Sequence, residues 1–347
     1  MIVITGGGTG GHLAAAKAVK NALNEEGIKP FFIGSSGGQD QAWFENEIGF
    51  ADTRFLSSAG VMNRRGIFRL FALIDIVVLA FKTRKLLREI GATAVFSVGG
   101  YSAAPAALAA VGLKIPLVIH EQNAVYGSLN RLLKPFAKEV FCSFDPNSPS
   151  RDYPVDDRFF ETARQRSAIN TVIFLGGSQG AAAINDFAMG IAKRLNDAGI
   201  KIVHQSGRKD YDRVLAFYRE NSIDAVVFDF DIDMPAHLQK ADLAIARAGA
   251  GTLFELTANG LPALFVPYPH AAGNHQMKNA KYLSDRGLGW CVEQSRLTPE
   301  IFDVFTDVDL SGISKTLMKL IARDGAKAIA KHIVRVQKSP FAAGKQG

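Results

Sequence analysis

Cysteine is scarce in this chain. Its 347 residues contain two, Cys142 and Cys291, far apart and without a CxxC or Cys/His spacing, so neither a disulfide framework nor a zinc site is supported and the cytosol is the natural compartment. No apolar run reaches the roughly 20 residues needed to cross a bilayer. A basic leader followed by an apolar stretch is missing too, because Met1 leads straight into Ile2-Val3-Ile4, which reads as a first strand, and no cleavable export signal is expected. The glycine-rich turn that follows lacks lysine: His12 stands where a P-loop would need it. Nor does an acid close the second predicted strand, where Phe32-Ile33 runs into Gly34-Ser35-Ser36-Gly37. A dinucleotide site needs that acid for its ribose, so the formal GxGxxG of Gly6, Gly8 and Gly11 does not make an NAD(P) dehydrogenase.

What is present is length for two domains and a repeated alternation of strand and helix. Short apolar runs at Ile2 to Ile4, Phe31 to Ile33, Val95 to Val98, Leu117 to His120 and Val140 to Cys142 alternate with helix-like segments, the signature of a parallel sheet covered on both faces. A polar, proline-bearing linker, Ser143 to Val155, interrupts it. The pattern then restarts with Val172 to Leu175, Lys201 to His204, Ala225 to Phe228, Leu243 to Ala246 and Ala263 to Val266. The expectation is an α/β chain: a first Rossmann-like domain over 1–157, a second over 158–325, and a C-terminal helix and tail, 326–347, packing back on the first.

Both halves begin with a strand, a glycine-rich turn and an alanine-rich helix, IVITGGGTGG and VIFLGGSQGA. Such a turn brings backbone N–H groups to the positive end of a helix, so either could hold a phosphate. His12 enters its helix from the first turn, and an imidazole there suits proton transfer near neutrality. Its plain alternative is a structural hydrogen bond. Two further polar clusters follow strands of the first half: Ser97 to Ser102, and His120-Glu121-Gln122-Asn123. These read as binding loops, or as a helix cap and solvated loop residues. In the second half Arg247 to Thr252 joins a strand to a helix that carries Glu255, placed either for the helix dipole or for a ribose diol. Asn274 to Ala280 supplies amides and a histidine able to bracket sugar hydroxyls.

Together these stretches resemble the MurG family of GT-B glycosyltransferases across essentially the whole chain: GGGTGGH at Gly6 to His12, GGYSAAPAALAA at Gly99 to Ala110, HEQN at His120 to Asn123, GGSQGA at Gly176 to Ala181, RAGAGTLFEL at Arg247 to Leu256 and HQxxNA at His275 to Ala280. The resemblance implies a GT-B architecture, two Rossmann-like domains with parallel sheets facing across a cleft. It implies inverting transfer of N-acetylglucosamine from UDP-N-acetylglucosamine to an undecaprenyl-linked muramyl acceptor in peptidoglycan synthesis. By the same carry-over Ser178, Gln179 and Gly180 hold the pyrophosphate, Phe230 to Ile232 with Asp231 read the uracil, and Glu255 takes the ribose. Ala250, His275, Gln276 and Asn279 contact the transferred sugar, and Thr9, Gly10, Gly11 and Asn123 join the donor set from the first half. The acceptor side is His12, Tyr101, Glu121, Asn123 and Asn130, with Asn185 reaching across from the second half. His12 or Glu121 is the catalytic base, His12 being favoured. No DxD-like acidic pair occurs at a comparable loop, so no metal ligand and no obligatory cofactor are expected.

Two departures stand out. Pro154-Val155-Asp156-Asp157-Arg158 replaces a stretch in which the family commonly has arginine directly after Pro-Val, and His275 stands where some members have glutamine. Rival readings are a GT-B enzyme with another nucleotide sugar or acceptor, and a nucleotide-sugar sensor without chemistry. The net charge of +7 favours an anionic partner without choosing one; the resemblance points to an anionic membrane surface and not to nucleic acid, with other cell-wall synthesis proteins as company. It places the chain peripherally on the cytoplasmic face of the inner membrane. IFRLFALIDIVVLAF, Ile67 to Phe81, flanked by Arg64, Arg65, Lys82, Arg84 and Lys85, is either a core helix or a monotopic contact with such a surface.

Overall fold

The computed structural model describes residues 1–57, 67–177, 180–231, 233–305 and 308–338, without the side chains of 67–73. In chain order the first half runs β1 (Ile2–Thr5), α1 (Gly10–Glu25), β2 (Phe31–Ser35), α2 (Asp40–Phe44), β3 (Asp52–Leu56), α3 (Ile67–Glu89), β4 (Ala94–Ser97), α4 (Ala104–Gly112), β5 (Leu117–His120), α5 (Ser128–Leu133) and β6 (Glu139–Phe141). The second runs α6 (Asp157–Glu161), β7 (Thr171–Leu175), α7 (Ala182–Asp197), β8 (Lys201–Gln205), α8 (Tyr211–Glu220), β9 (Ala225–Phe228), α9 (Met234–Lys240), β10 (Leu243–Ala246), α10 (Ala250–Ala258), β11 (Ala263–Phe265), α11 (His275–Ser284), β12 (Trp290–Cys291) and α12 (Leu310–Leu317), before α13 (Gly325–Lys338) ends the chain.

Residues 1–155 and the segment from Asp324 form one unit, and Asp156–Arg323 the other. Each holds one sheet, in the orders β3-β2-β1-β4-β5-β6 and β12-β11-β10-β7-β8-β9, with every pairing parallel. Parallel strands must be covered on both faces, and here they are. In the first unit Leu13, Val19 and Leu23 of α1 meet Ile329 and Ile333 of α13 against Ile4, Phe32 and Phe96. On the opposite face Leu87 of α3 and the alanines of α4 pack on Val3, Val95 and Ile119. The second unit builds its core from Ile184, Ala188 and Ile191 of α7, Val214 and Tyr218 of α8 and the strands between them.

The strand pattern in the sequence leaves out one edge strand of each sheet, β3 and β12. β3, DTRFL, is only partly buried and lacks the apolar alternation, and β12 is two residues long. An edge strand packs less of its surface, so its sequence carries less pattern.

Candidate active site

In each sheet the strand order reverses between two adjacent strands, β1 and β4 in the first unit and β7 and β10 in the second. Open α/β folds bind ligands at the carboxyl ends of strands beside this switch. In the first unit the two glycine turns there pack backbone to backbone. Gly7 N–H donates to Gly99 O at 3.2 Å, and a Cβ on Gly100, at φ +79°, would sit 2.2 Å from Gly7 O. The expectation that this turn could hold a phosphate needs correcting. Buried Asp40, the first residue of α2, already supplies an anion, accepting Gly8 N–H at 2.6 Å and Ser35 N–H at 2.9 Å. Reading the sequence missed Asp40 because its carboxylate comes from a turn after β2 and not from the strand end.

His12 lies in the first turn of α1, after Thr9, Gly10 and Gly11. Its Nδ1 is 2.7 Å from Thr9 Oγ1, and its Nε2 is 2.8 Å from the Gln122 side-chain nitrogen. The ring is half-buried and Thr9 is exposed. Beyond β5, the loop carrying Gln122 is organised around Glu121. That carboxylate, 2% exposed, accepts Asn123 N–H at 3.0 Å, Gly127 N–H at 2.8 Å and the Asn130 side-chain amide at 2.9 Å. Both oxygens are therefore spent on its own loop, the environment of an anchor rather than of a group awaiting a substrate proton. Tyr101 packs its ring over Gly8, and a Cβ on Gly99 would stand 3.1 Å from the Asn130 amide nitrogen and 3.5 Å from His12 Nε2. His120 is buried beneath, neither ring nitrogen hydrogen-bonded among the described residues. Burial first, and the neighbouring His12 second, push its pKa down to about 3, so it stays neutral.

In the second unit Ser178, Gln179 and Ile232 lie outside the described residues. Gly180, at φ +78°, closes the turn with an N–H bond of 2.9 Å to Gly177 O, and a Cβ there would stand 2.7 Å from Ser206 O. The 16-residue α7 follows directly, its positive end at the turn. Asn185, expected to reach an acceptor, is instead a strut. It is fully buried, donating to Ser206 O at 3.0 Å and Asp210 Oδ2 at 2.7 Å, with its Oδ1 3.0 Å from His204 Nε2.

Across the switch point Ala250 opens α10 behind Gly249, whose Cβ position faces open space. One turn further Glu255 is half-buried, and its carboxylate makes no hydrogen bond among the described residues. Desolvation by the surrounding protein, and then Asp156, push its pKa up to about 7. Arg247 is engaged elsewhere, donating to Val266 O at 3.0 Å and Gln294 Oε1 at 2.7 Å. In α11 His275 has Nδ1 2.8 Å from Ala272 O, Gln276 accepts Tyr268 N–H at 2.8 Å, and buried Asn279 donates to Ala248 O at 3.1 Å. Asp231 caps its own loop through Asp233 N–H at 2.9 Å and sits 2.8 Å from His237 Nε2, beside exposed Phe230. Arg158 is tied to Asp156 at 3.1 Å.

The helix α3 carries two unlike faces. Ile76, Ala80, Thr83 and Leu87 face inward, while Ile74, Val77, Val78 and Phe81 are 46–64% exposed, and Lys82, Lys85 and Arg88 are exposed alongside. No helix among the described residues is long and apolar enough to cross a membrane.

Two Rossmann-like sheets with glycine turns at both switch points define a GT-B glycosyltransferase, and the family models agree. The glycosyltransferase family 28 N-terminal domain matches residues 2–142 and the family 28 C-terminal domain residues 171–333. The UDP-N-acetylglucosamine–N-acetylmuramyl-(pentapeptide) pyrophosphoryl-undecaprenol N-acetylglucosamine transferase of Wolinella succinogenes is 52% identical over 96% of this chain and 99% of its own. The Campylobacter fetus protein of that name is 48% identical over 96% and 100%. The crystal structure of Acinetobacter baumannii MurG superposes with a TM-score of 0.78 at 29% identity, covering 96% of this chain and 99% of that one. The chain belongs to the MurG family.

Proposed function

We propose that this protein transfers N-acetylglucosamine from UDP-N-acetylglucosamine to the 4-hydroxyl of the muramyl sugar in undecaprenyl-pyrophosphoryl-MurNAc-pentapeptide, converting lipid I to lipid II. The observation that carries this reading is the near-complete match to transferases of that name, together with an imidazole held at a ligand-facing turn. His12 takes the proton from the acceptor hydroxyl. The oxygen attacks the anomeric carbon from the face opposite UDP, the bond to the β-phosphate breaks, and the configuration inverts. Charge growing on UDP is met by the amides of Gly176 to Ala181 and the positive end of α7, which can stand in for a metal; turnover is therefore expected to survive chelation by EDTA.

In this reading Tyr101 and Asn130 orient the acceptor, and Glu121 holds the loop that leads to Asn130. On the donor side Ser178, Gln179 and Gly180 grip the pyrophosphate and the backbone beside Asp231 meets the uracil. Glu255, whose carboxylate has no hydrogen-bond partner among the described residues, accepts from the ribose diol. Ala250 N–H, His275, Gln276 and Asn279 bracket the sugar. The exposed apolar side of α3 and its basic residues dock on the anionic cytoplasmic face of the inner membrane, bringing the enzyme to an acceptor whose lipid tail stays in the bilayer. Radiolabelled UDP-N-acetylglucosamine and a short-chain lipid I analogue test the reading. Labelled disaccharide product is expected; turnover of a different sugar nucleotide with none of this one would refute it.

A further inference from the structure

Beneath His12 lies a hydrogen-bonded chain that the reaction above does not use. Tyr153, 3% exposed, directs its hydroxyl to Gln122 Oε1 at 3.4 Å, and Gln122, 7% exposed, meets His12 Nε2 with its amide nitrogen at 2.8 Å. The His12 ring continues the chain through Nδ1 to Thr9 Oγ1 at 2.7 Å. Nε2 thus faces inward, toward buried Gln122 and Gly99, whereas Nδ1 faces exposed Thr9. The ring of Tyr153 is itself fixed edge-on against His120, with centroids 5.3 Å apart.

We propose that Gln122 is a positioning residue for His12: the end of its amide turned to Nε2 decides which ring nitrogen carries the proton, and Tyr153 holds Gln122 in place. The proposal rests on His12 being the base. With the amide N–H toward the ring, Nε2 must be the acceptor and the proton sits on Nδ1, so no lone pair faces outward. Rotating the amide by half a turn presents Oε1 instead. The proton then sits on Nε2, and the outward Nδ1 lone pair, now the acceptor for Thr9 Oγ1, is the one an incoming hydroxyl meets in place of Thr9. Once Nδ1 has taken the substrate proton both ring nitrogens are donors, and Oε1 is the buried acceptor for Nε2–H. A side-chain amide can serve either state because its two ends are nearly the same shape. The other titratable groups around the ring do not compete. His120 is held neutral by burial, and the Glu121 carboxylate is turned to Asn123, Gly127 and Asn130.

The test uses the full-length chain labelled with 15N-histidine, the His12 signals being assigned from a His12→Asn spectrum. Gln122→Glu can only accept, so His12 is expected to become the Nε2–H tautomer. Its titration should move up by roughly one pH unit beside the added negative charge, and the acidic limb of kcat/KM should follow. Tyr153→Phe should broaden the tautomer distribution and lower kcat with little change in KM for UDP-N-acetylglucosamine. If the buried glutamate prevents folding, Gln122→Met, which keeps the volume and removes both hydrogen bonds, must shift the tautomer ratio. A His12 tautomer and titration unchanged in these variants overturn the proposal. A titration that moves while the acidic limb of the rate profile stays put upholds the positioning role, and it is then His12 as base that fails.

Discussion

Glu121→Gln separates an anchor from a chemical participant. The native carboxylate accepts three N–H donors, one on Oε1 and two on Oε2. An amide loses least by placing its nitrogen at Oε1, facing Asn123 N–H donor to donor. That leaves the part-buried Asn123 N–H unsatisfied, at about 1 kcal/mol, and turns two charge-assisted bonds into neutral ones, at about 1 kcal/mol each. A neutral amide is easier to bury than a carboxylate, which offsets part of this. The net is about 2–3 kcal/mol, a fall in Tm of roughly 5–10 °C for a unit of this size. Because Gln122 rides on the same loop, kcat should fall as well, but partially. His12→Ala should show the opposite signature, a smaller fall in Tm than Glu121→Gln and a loss of turnover of about 10²–10⁴-fold. Differential scanning calorimetry and the lipid I assay on both variants decide the matter. A Glu121→Gln protein that melts like the wild type yet has lost all turnover would refute the anchor reasoning and make Glu121 the base.

Glu255→Gln should weaken UDP binding. In the wild type, affinity by calorimetry should fall as the pH drops below about 7, because protonation at the raised pKa removes the acceptor; the slope is at most about tenfold per pH unit, and a flat profile from pH 6 to 8 contradicts the ribose role. Replacing exposed Val77 or Phe81 by Glu should reduce binding to vesicles containing anionic lipid about tenfold or more, from roughly 1.5–3 kcal/mol of lost apolar burial for Phe81, without changing Tm. Vesicle binding equal to wild type would remove α3 from the docking surface. Arg166→Met should destabilise the second unit by roughly 3–5 kcal/mol, since the buried guanidinium serves the carbonyls of Ala241, Arg164, Leu238 and Asn259 and the Asn259 side chain; calorimetry showing the wild-type unfolding profile would overturn this.

Much of this molecule was legible before its structure. Apolar runs of three to four residues between helix-like segments required parallel sheets covered on both faces, because only that arrangement buries such strands fully. The glycine turns, read as strand-end loops, marked the switch points. Hidden from that reading were the partners that arrive from elsewhere in the chain. Asp40 reaches the first glycine turn from α2, Gln122 meets His12 across 110 positions, and Tyr153 closes the chain from the linker. Asn185 is placed at the acceptor by the family resemblance alone, and its burial against His204 and Asp210 makes it a strut.

The local rules of the backbone, short-range and written in consecutive residues, were enough to determine the order of elements, the two sheets and the place of His12 on its helix. Which carboxylates are already occupied, which imidazole stays neutral and which side of α3 remains uncovered depend on desolvation and hydrogen bonding between segments far apart in sequence. Those quantities exist only once the chain has folded.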